Sequence, residues 1–115
     1  MKLDISDCRI FIKPGATDMR KHINGLVAFV AGCMHMNLYD DCIFVFCSKN
    51  RSMIKILYWE KNGFCLWSKR LERHKFPWPK TNKEALEISA ERLIMLLKGI
   101  DFWHEHTTLH YSAVL

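Results

Sequence analysis

Hydrophobic and polar positions change their period several times along the chain, and each change predicts an element. Arg9 to Ile12 is a short apolar run ended by Pro14 and Gly15, which predicts a strand followed by a turn. Beyond it, Ile23, Leu26, Val27, Val30, Ala31 and Met34 recur at the three-and-four spacing of one buried helical stripe. That spacing predicts a helix over about residues 18–35, with Thr17 or Asp18 accepting the orphan N–H groups of its first turn. Gly25, Ala28 and Gly32 lie together on its flank. An interior glycine costs about 1 kcal/mol against alanine, so close approach by another backbone is the expected compensation. Ile43 to Cys47 has no polar alternate, the pattern of a strand covered on both faces in the middle of a sheet. Met53 to Trp59 and Phe64 to Leu71 flank Glu60-Lys61-Asn62-Gly63, and the Asn-Gly pair predicts a tight hairpin. Ala85 to Ile88 reads as one more short strand. Ser89 then caps a second helix that carries Leu93, Met95 or Leu96, and Leu97, and stops at Gly99.

These elements predict an α+β fold: an antiparallel sheet of four to five strands with two helices packed on one of its faces, in the order β-α-β-β-β-(β)-α. A chain of 115 residues holds one core, expected here over residues 1–102. Residues 103–115 lose all periodicity and are expected to form a disordered tail.

Composition narrows the class further. An apolar content of 50% excludes a disordered chain, and no apolar run approaches the roughly 18 residues of a membrane span. The first residues carry acids and lack the apolar core of a secretory leader, so a cytoplasmic protein with no membrane partner is expected. Five cysteines, Cys8, Cys33, Cys42, Cys47 and Cys65, sit mostly in apolar runs without paired C-x-x-C spacing, as buried free thiols do.

Charge changes the picture most. The net +5 conceals a segment from Lys49 to Lys83 with ten lysines and arginines against only Glu60 and Glu72, while the rest of the chain is net acidic. A surplus confined to one segment is the electrostatic footprint of a polyanion partner; solvated strand faces are the plainer alternative. Within the hairpin, a two-residue Asn-Gly loop sets Lys55 opposite Arg70, and a three-residue loop sets it opposite Lys69. Either register opposes two cations, which destabilises a strand pair unless an anion sits between them. Lys49, Arg51, Arg73 and Lys75 lie near the ends of the same hairpin, so a phosphate backbone suits the arrangement. Phe76, Trp78, Trp67 and Tyr58 offer stacking surfaces for bases, but packing in the core is the weightier reading of aromatics beside Pro77 and Pro79.

Catalytic readings fail on spacing. His104, His106 and His110 invite a metal, yet Thr107 follows His106 where a zinc protease requires Glu, and two threonines near the chain end oppose a rigid helix. Asp18, Asp40, Asp41, Glu72 and Asp101 show no spacing that selects three convergent metal ligands. There is no phosphate-binding loop, dinucleotide fingerprint or nucleophile elbow. No enzyme, cofactor, bound metal or small-molecule substrate is therefore expected.

Three stretches resemble a known family: TDMRKHINGL (17–26), FVFCSKNRSMIKILYWEKNGFCLWSKRLERHKFPWP (44–79) and LLKGID (96–101). In order and spacing they are similar to the small accessory protein called TnpB of insertion sequences of the sixty-six type, which is unrelated to the RNA-guided nuclease sharing that label. The match spans roughly residues 9–101. The resemblance implies a role in moving a bacterial transposable element beside a separate, larger transposase, and it brings no catalytic residues with it. Arg20, Lys21, Arg51, Lys55, Lys69, Arg70 and Arg73 coincide with basic positions of the family pattern, whereas Cys47 and Ser48 replace residues that are often basic or polar. With Lys49 and Lys75, these cations form the expected nucleic-acid-binding set, assigned to DNA on charge. The expected function is a non-catalytic accessory protein whose basic hairpin contacts element-end DNA or the transposase–DNA complex. The alternative is an adaptor that binds the transposase without touching DNA.

Overall fold

The computed structural model describes residues 5–34, 36, 42–80 and 85–100. Asp40, Asp41, Asp101, His104, His106, His110 and the expected tail lie outside the described residues. Among those described, the elements are β1 (Arg9–Ile12), α1 (Ile23–Cys33), β2 (Cys42–Cys47), β3 (Met53–Glu60), β4 (Gly63–Arg70), β5 (Leu86–Ile88) and α2 (Ala90–Leu97), after a single 3-10 turn at Ile5–Asp7. The α+β class and the order of elements agree with the sequence reading. Strand β2, buried at every position, takes the centre of a sheet ordered β4-β3-β2-β1-β5.

Two features of the layering differ from expectation. The sheet is mixed rather than antiparallel: β1 pairs parallel with β2, Ile10 facing Ile43 and Phe11 facing Phe44, while every other pair is antiparallel. Helix α1 carries the chain back to the end from which β1 started, and a strand entered by such a crossover runs parallel to its neighbour. The helices also cover opposite faces. Ile10, Ile12, Ile43, Val45, Ile54 and Ile56 point to the face where Leu93 and Leu96 of α2 pack, while Phe11, Phe44, Phe46 and Leu57 point to Leu26, Val30 and Met34 of α1. A strand with no polar side chain requires cover on both sides, and one layer of helices cannot supply it.

Aromatic packing follows the weightier reading. Phe76 and Trp78 are buried in the α2-side core, with Trp67 and Tyr58 packed against it. The Trp78 indole N–H donates to the carbonyls of Lys13 and Gly15 at 3.1 and 2.9 Å, so its polar edge is satisfied where its ring is buried. Cys42 and Cys47 are buried free thiols, and Cys8 and Cys65 are half-buried. Burial pushes the Cys47 thiol up to about 12, which keeps it neutral and unreactive.

Helix α2 ends as its sequence demands. Ser89 Oγ accepts from the Arg92 N–H at 3.2 Å, and Gly99 at φ 81° closes the last turn through Gly99 N–H to Leu96 and Ile100 N–H to Met95, each 2.9 Å. Helix α1 begins five residues later than expected. Asp18 does not cap it: its carboxylate accepts from the Arg20 backbone N–H at 2.9 Å and from the Arg20 guanidinium, closing a local turn instead. The N-cap is His22, which makes no side-chain capping bond.

The close approach expected at the glycine flank is absent among the described residues. Gly25, Ala28 and Gly32 are exposed, and a Cβ at Gly32 would meet nothing within 4 Å, whereas one at Gly25 would lie 3.3 Å from the Lys21 side chain. Gly32→Ala is therefore expected to raise stability by about 0.5–1 kcal/mol through helix propensity alone, with Gly25→Ala gaining less. Urea unfolding at constant m-value checks this; a destabilised Gly32→Ala would mean that another surface already lies on that flank.

Candidate nucleic-acid interface

The hairpin register decides where the basic side chains go. The loop is Lys61–Asn62 and not Asn62–Gly63: Glu60 pairs with Gly63, and Lys61 itself takes the left-handed conformation at φ 55°. That one-residue change sets Met53 opposite Arg70, Ile54 opposite Lys69 and Lys55 opposite Ser68. The expected opposition of Lys55 to Arg70 or Lys69 is therefore overturned.

Alternation then sends these cations to different places. Lys69 shares the α2 face with Ile54, and its ammonium donates to the Leu97 carbonyl at 3.0 Å, where the end of α2 favours positive charge. Lys55 lies on the α1 face and is only 7% exposed. Its ammonium donates to the carbonyls of Met19 and Lys21 at 2.7 and 2.9 Å, pinning the segment that leads into α1. A lysine read as half of a repelled surface pair is thus an internal tie.

The two other cations flanking the segment tied by Lys55 also have local partners. Arg20 grips Asp18 through two guanidinium nitrogens, and that hydrogen-bonded pairing holds the Asp18 carboxyl well below the usual carboxylate range. The Lys21 ammonium lies 5.9 Å from the Phe29 ring centre. Arg70 pairs with Glu72 at 3.0 Å, but both side chains are mostly exposed, so the pair is weak and easily exchanged.

The remaining cations gather at one end of the sheet. Because β1, β2 and β4 run the same way, their carboxyl ends and the start of β3 share that end. Three segments are stitched together there. The β1–α1 loop is held by Lys13 N–H to Val45 and Thr17 N–H to Cys47, at 2.9 and 2.8 Å. Gly15, at φ 78°, donates to the Pro79 carbonyl at 2.9 Å. Phe76 N–H donates to the Arg51 carbonyl and Leu71 N–H to the Ser52 carbonyl, at 2.8 and 2.7 Å, fastening the segment after β4 to the β2–β3 loop. That loop is braced internally, since Asn50 Oδ1 accepts from Ser48 Oγ, Ser52 Oγ and the Ser52 N–H. Arg51 sits in it at φ 62°, a left-handed conformation that favours glycine.

Lys49, Arg51, Arg73 and Lys75, together with Lys80, have no hydrogen-bond or ion-pair partner among the described residues. Two adjoining clefts open between the stitched loops. One, of about 760 Å³, has Ala16, Thr17 and Met19 on one side and Ser48, Lys49 and Asn50 on the other, with Asp18 at its rim. The second, about 280 Å³, continues past Ala16 and Ser48 to Lys49, Arg51 and Lys80 over Trp78 and Pro79, and no carboxylate lines it. Sequence reasoning missed Lys80 and Thr17. Lys80 was in plain sight, inside the basic segment one residue beyond Phe-Pro-Trp-Pro; Thr17 was read only as a helix cap.

Fold and site together define a small α+β protein whose distinguishing surface is an uncompensated cationic sheet end. The family model described as IS66 Orf2 like protein matches residues 8–107, and the chain belongs to that family of transposition accessory proteins of insertion sequences. Two relatives come from Sinorhizobium fredii: uncharacterized protein y4hO, 37% identical over 106 residues that cover 92% of each chain, and uncharacterized protein y4jC, 35% identical over 94 residues, covering 82% of this chain and 80% of the relative. No solved structure matches the chain significantly. No helix among the described residues is long and apolar enough to cross a membrane.

The internal role of Lys55 is testable. Lys55→Met keeps the length of the side chain but leaves two carbonyls without their charged donor, and is expected to cost about 2 kcal/mol. Chemical denaturation measures it, and a loss below about 0.5 kcal/mol would show that the tie contributes little.

Proposed function

We propose that this chain is a non-catalytic, cytoplasmic accessory protein of transposition that contacts DNA at the element ends, alone or within the transposase–DNA complex. The contact runs through the cationic end of the sheet and not through the broad face of the hairpin. One observation carries the reading: Lys49, Arg51, Arg73, Lys75 and Lys80 converge on three stitched loops, and the cleft between Lys49, Arg51 and Lys80 has no acid in its lining. Five cations left uncompensated at one end repel one another, and a phosphate backbone relieves that repulsion while releasing its condensed counterions. Arg51 supports the reading from a second direction. A cation held in a backbone conformation better suited to glycine is a strain that its charge, and not its fold, accounts for.

Replacing Lys49, Arg51, Arg73 and Lys75 together by Gln is expected to weaken binding to element-end duplex and to flatten its dependence on salt by about three in the slope of log K against log salt. Lys61→Gln, at the opposite end of the hairpin, serves as the control and leaves the slope as it is. An unchanged slope in the fourfold variant removes the proposal. Co-purification with the transposase that survives nuclease, without any mobility shift on element ends, replaces it with the adaptor.

Arg51→Gly separates fold from function. Relief of the left-handed backbone is expected to raise stability by about 0.5–1 kcal/mol, while loss of the guanidinium lowers DNA affinity. Thermal melting and a gel-shift titration on the same sample check the opposite signs; both moving together would mean that Arg51 serves the fold alone.

A further inference from the structure

The larger cleft contains a feature that phosphate binding does not explain. Thr17 is 5% exposed and lines that cleft, and its hydroxyl has no hydrogen-bond partner, the one buried side-chain oxygen or nitrogen left so among the described residues. Its backbone N–H is used by Cys47, so the residue is held in place by the main chain while its polar tip is unspent. A buried hydroxyl without a partner is destabilising where threonine replaces valine of the same shape. Around it the wall is apolar at Ala16 and Met19 and becomes polar at Ser48 and Asn50, whose amide nitrogen is free because its oxygen serves the loop. Beyond Ala16 and Ser48, which line both clefts, the groove reaches Lys49, Arg51 and Lys80. The groove therefore changes along its length, from a mostly apolar recess with a buried hydroxyl to a cationic shelf with no acid.

Its place in the fold adds to the case. β1 and β2 are the parallel pair of the sheet, and the groove lies outside their carboxyl ends, between the loops that leave Ile12 and Cys47. Such crevices collect ligands because the two loops diverge there and leave backbone and side chains facing inward. Asp18 stands at the recess end, away from Arg51 and Lys80, and the Arg20 guanidinium occupies it, so it does not compete for an anion on the shelf.

Resting on the reading of DNA contact above, we infer that this groove takes one unpaired nucleotide of the bound DNA. The base enters the recess between Met19 and Asn50 and hydrogen-bonds to Thr17 Oγ1, and its phosphate lies on Lys49, Arg51 and Lys80. A base taken out of the stack is held by just such a combination of apolar wall and hydrogen-bonding edge. A paired base cannot enter, so the groove distinguishes the frayed or overhanging end of a duplex from its interior.

The test compares fluorescence anisotropy on three probes: a blunt duplex, the same duplex carrying a single unpaired nucleotide at either the 5′ or the 3′ end, and a deoxynucleoside monophosphate as competitor. The full chain is expected to prefer one of the overhanging duplexes over the blunt one by about five- to tenfold, the discrimination one or two hydrogen bonds supply. Thr17→Val should bring that ratio close to one, and it should melt no lower than the native chain, since it removes a buried hydroxyl without a partner. Equal affinity for all duplexes, or a preference that survives Thr17→Val, overturns the groove while leaving the DNA contact standing. Displacement by micromolar monophosphate overturns it in favour of a free-nucleotide site. Binding to no duplex at all removes both readings.

Discussion

A strand that offers no polar side chain to water must be covered twice, and the rest of the molecule is arranged around that requirement. Cys42–Cys47 is buried at all six positions, so β3 and β1 flank it, α1 closes one face, and α2 with the Phe76–Trp78 segment closes the other. Once both faces are occupied, the open surfaces of the sheet are its two ends and its outer edges. Loops gather at those ends, and one end collects the chain's unpaired positive charge. The location of the candidate site is thus a consequence of where the core had to be, since the faces that a basic hairpin would have presented are already in use.

The same constraint explains the divided fate of the basic residues. Lysine and arginine have long apolar stems, so a cation that alternation turns toward a covered face can still send its charged tip to backbone oxygen. Lys55 does so beneath α1 and Lys69 does so at the end of α2. Each converts a charge that looked available into a tether between layers. The cations that stay uncommitted are those on segments where no layer covers them: the β2–β3 loop with Lys49 and Arg51, and the stretch from Arg73 to Lys80. Family membership in the IS66 Orf2-like proteins accords with a surface built for a partner, because these side chains contribute nothing visible to the fold itself.

Much of the fold was legible in the order of residues. The strand at Arg9–Ile12, the doubly covered strand, the hairpin and the Ser89-capped helix each carry a local signal strong enough to survive tertiary context. The failures were equally local. Asn62-Gly63 is the better hairpin dipeptide, yet the turn formed one residue earlier, because pairing Ile54 and Ile56 with the α2-side core and Leu57 with α1 is a larger energy than the conformational preference of one loop residue. Asp18 is a good cap by type, but Arg20 two residues on gave its carboxylate a closer partner. The candidate site was legible as a basic segment and illegible as a surface: of its residues, Lys49, Arg51 and Lys75 came together, Lys80 and Thr17 joined them unforeseen, and Lys55 and Lys69 turned inward.

What the sequence determined by itself was periodicity and charge: which runs must be strands or helices, which strand must be central, and that a polyanion-like partner suits the segment from Lys49 to Lys83. What only the tertiary structure decided was direction. Whether a given lysine faces water or a carbonyl, whether two loops meet to form a groove, and whether a threonine hydroxyl is left unspent all depend on register and on strand direction. Those are set by contacts between residues far apart in the chain, and a difference of one position in a hairpin reverses every side chain along it.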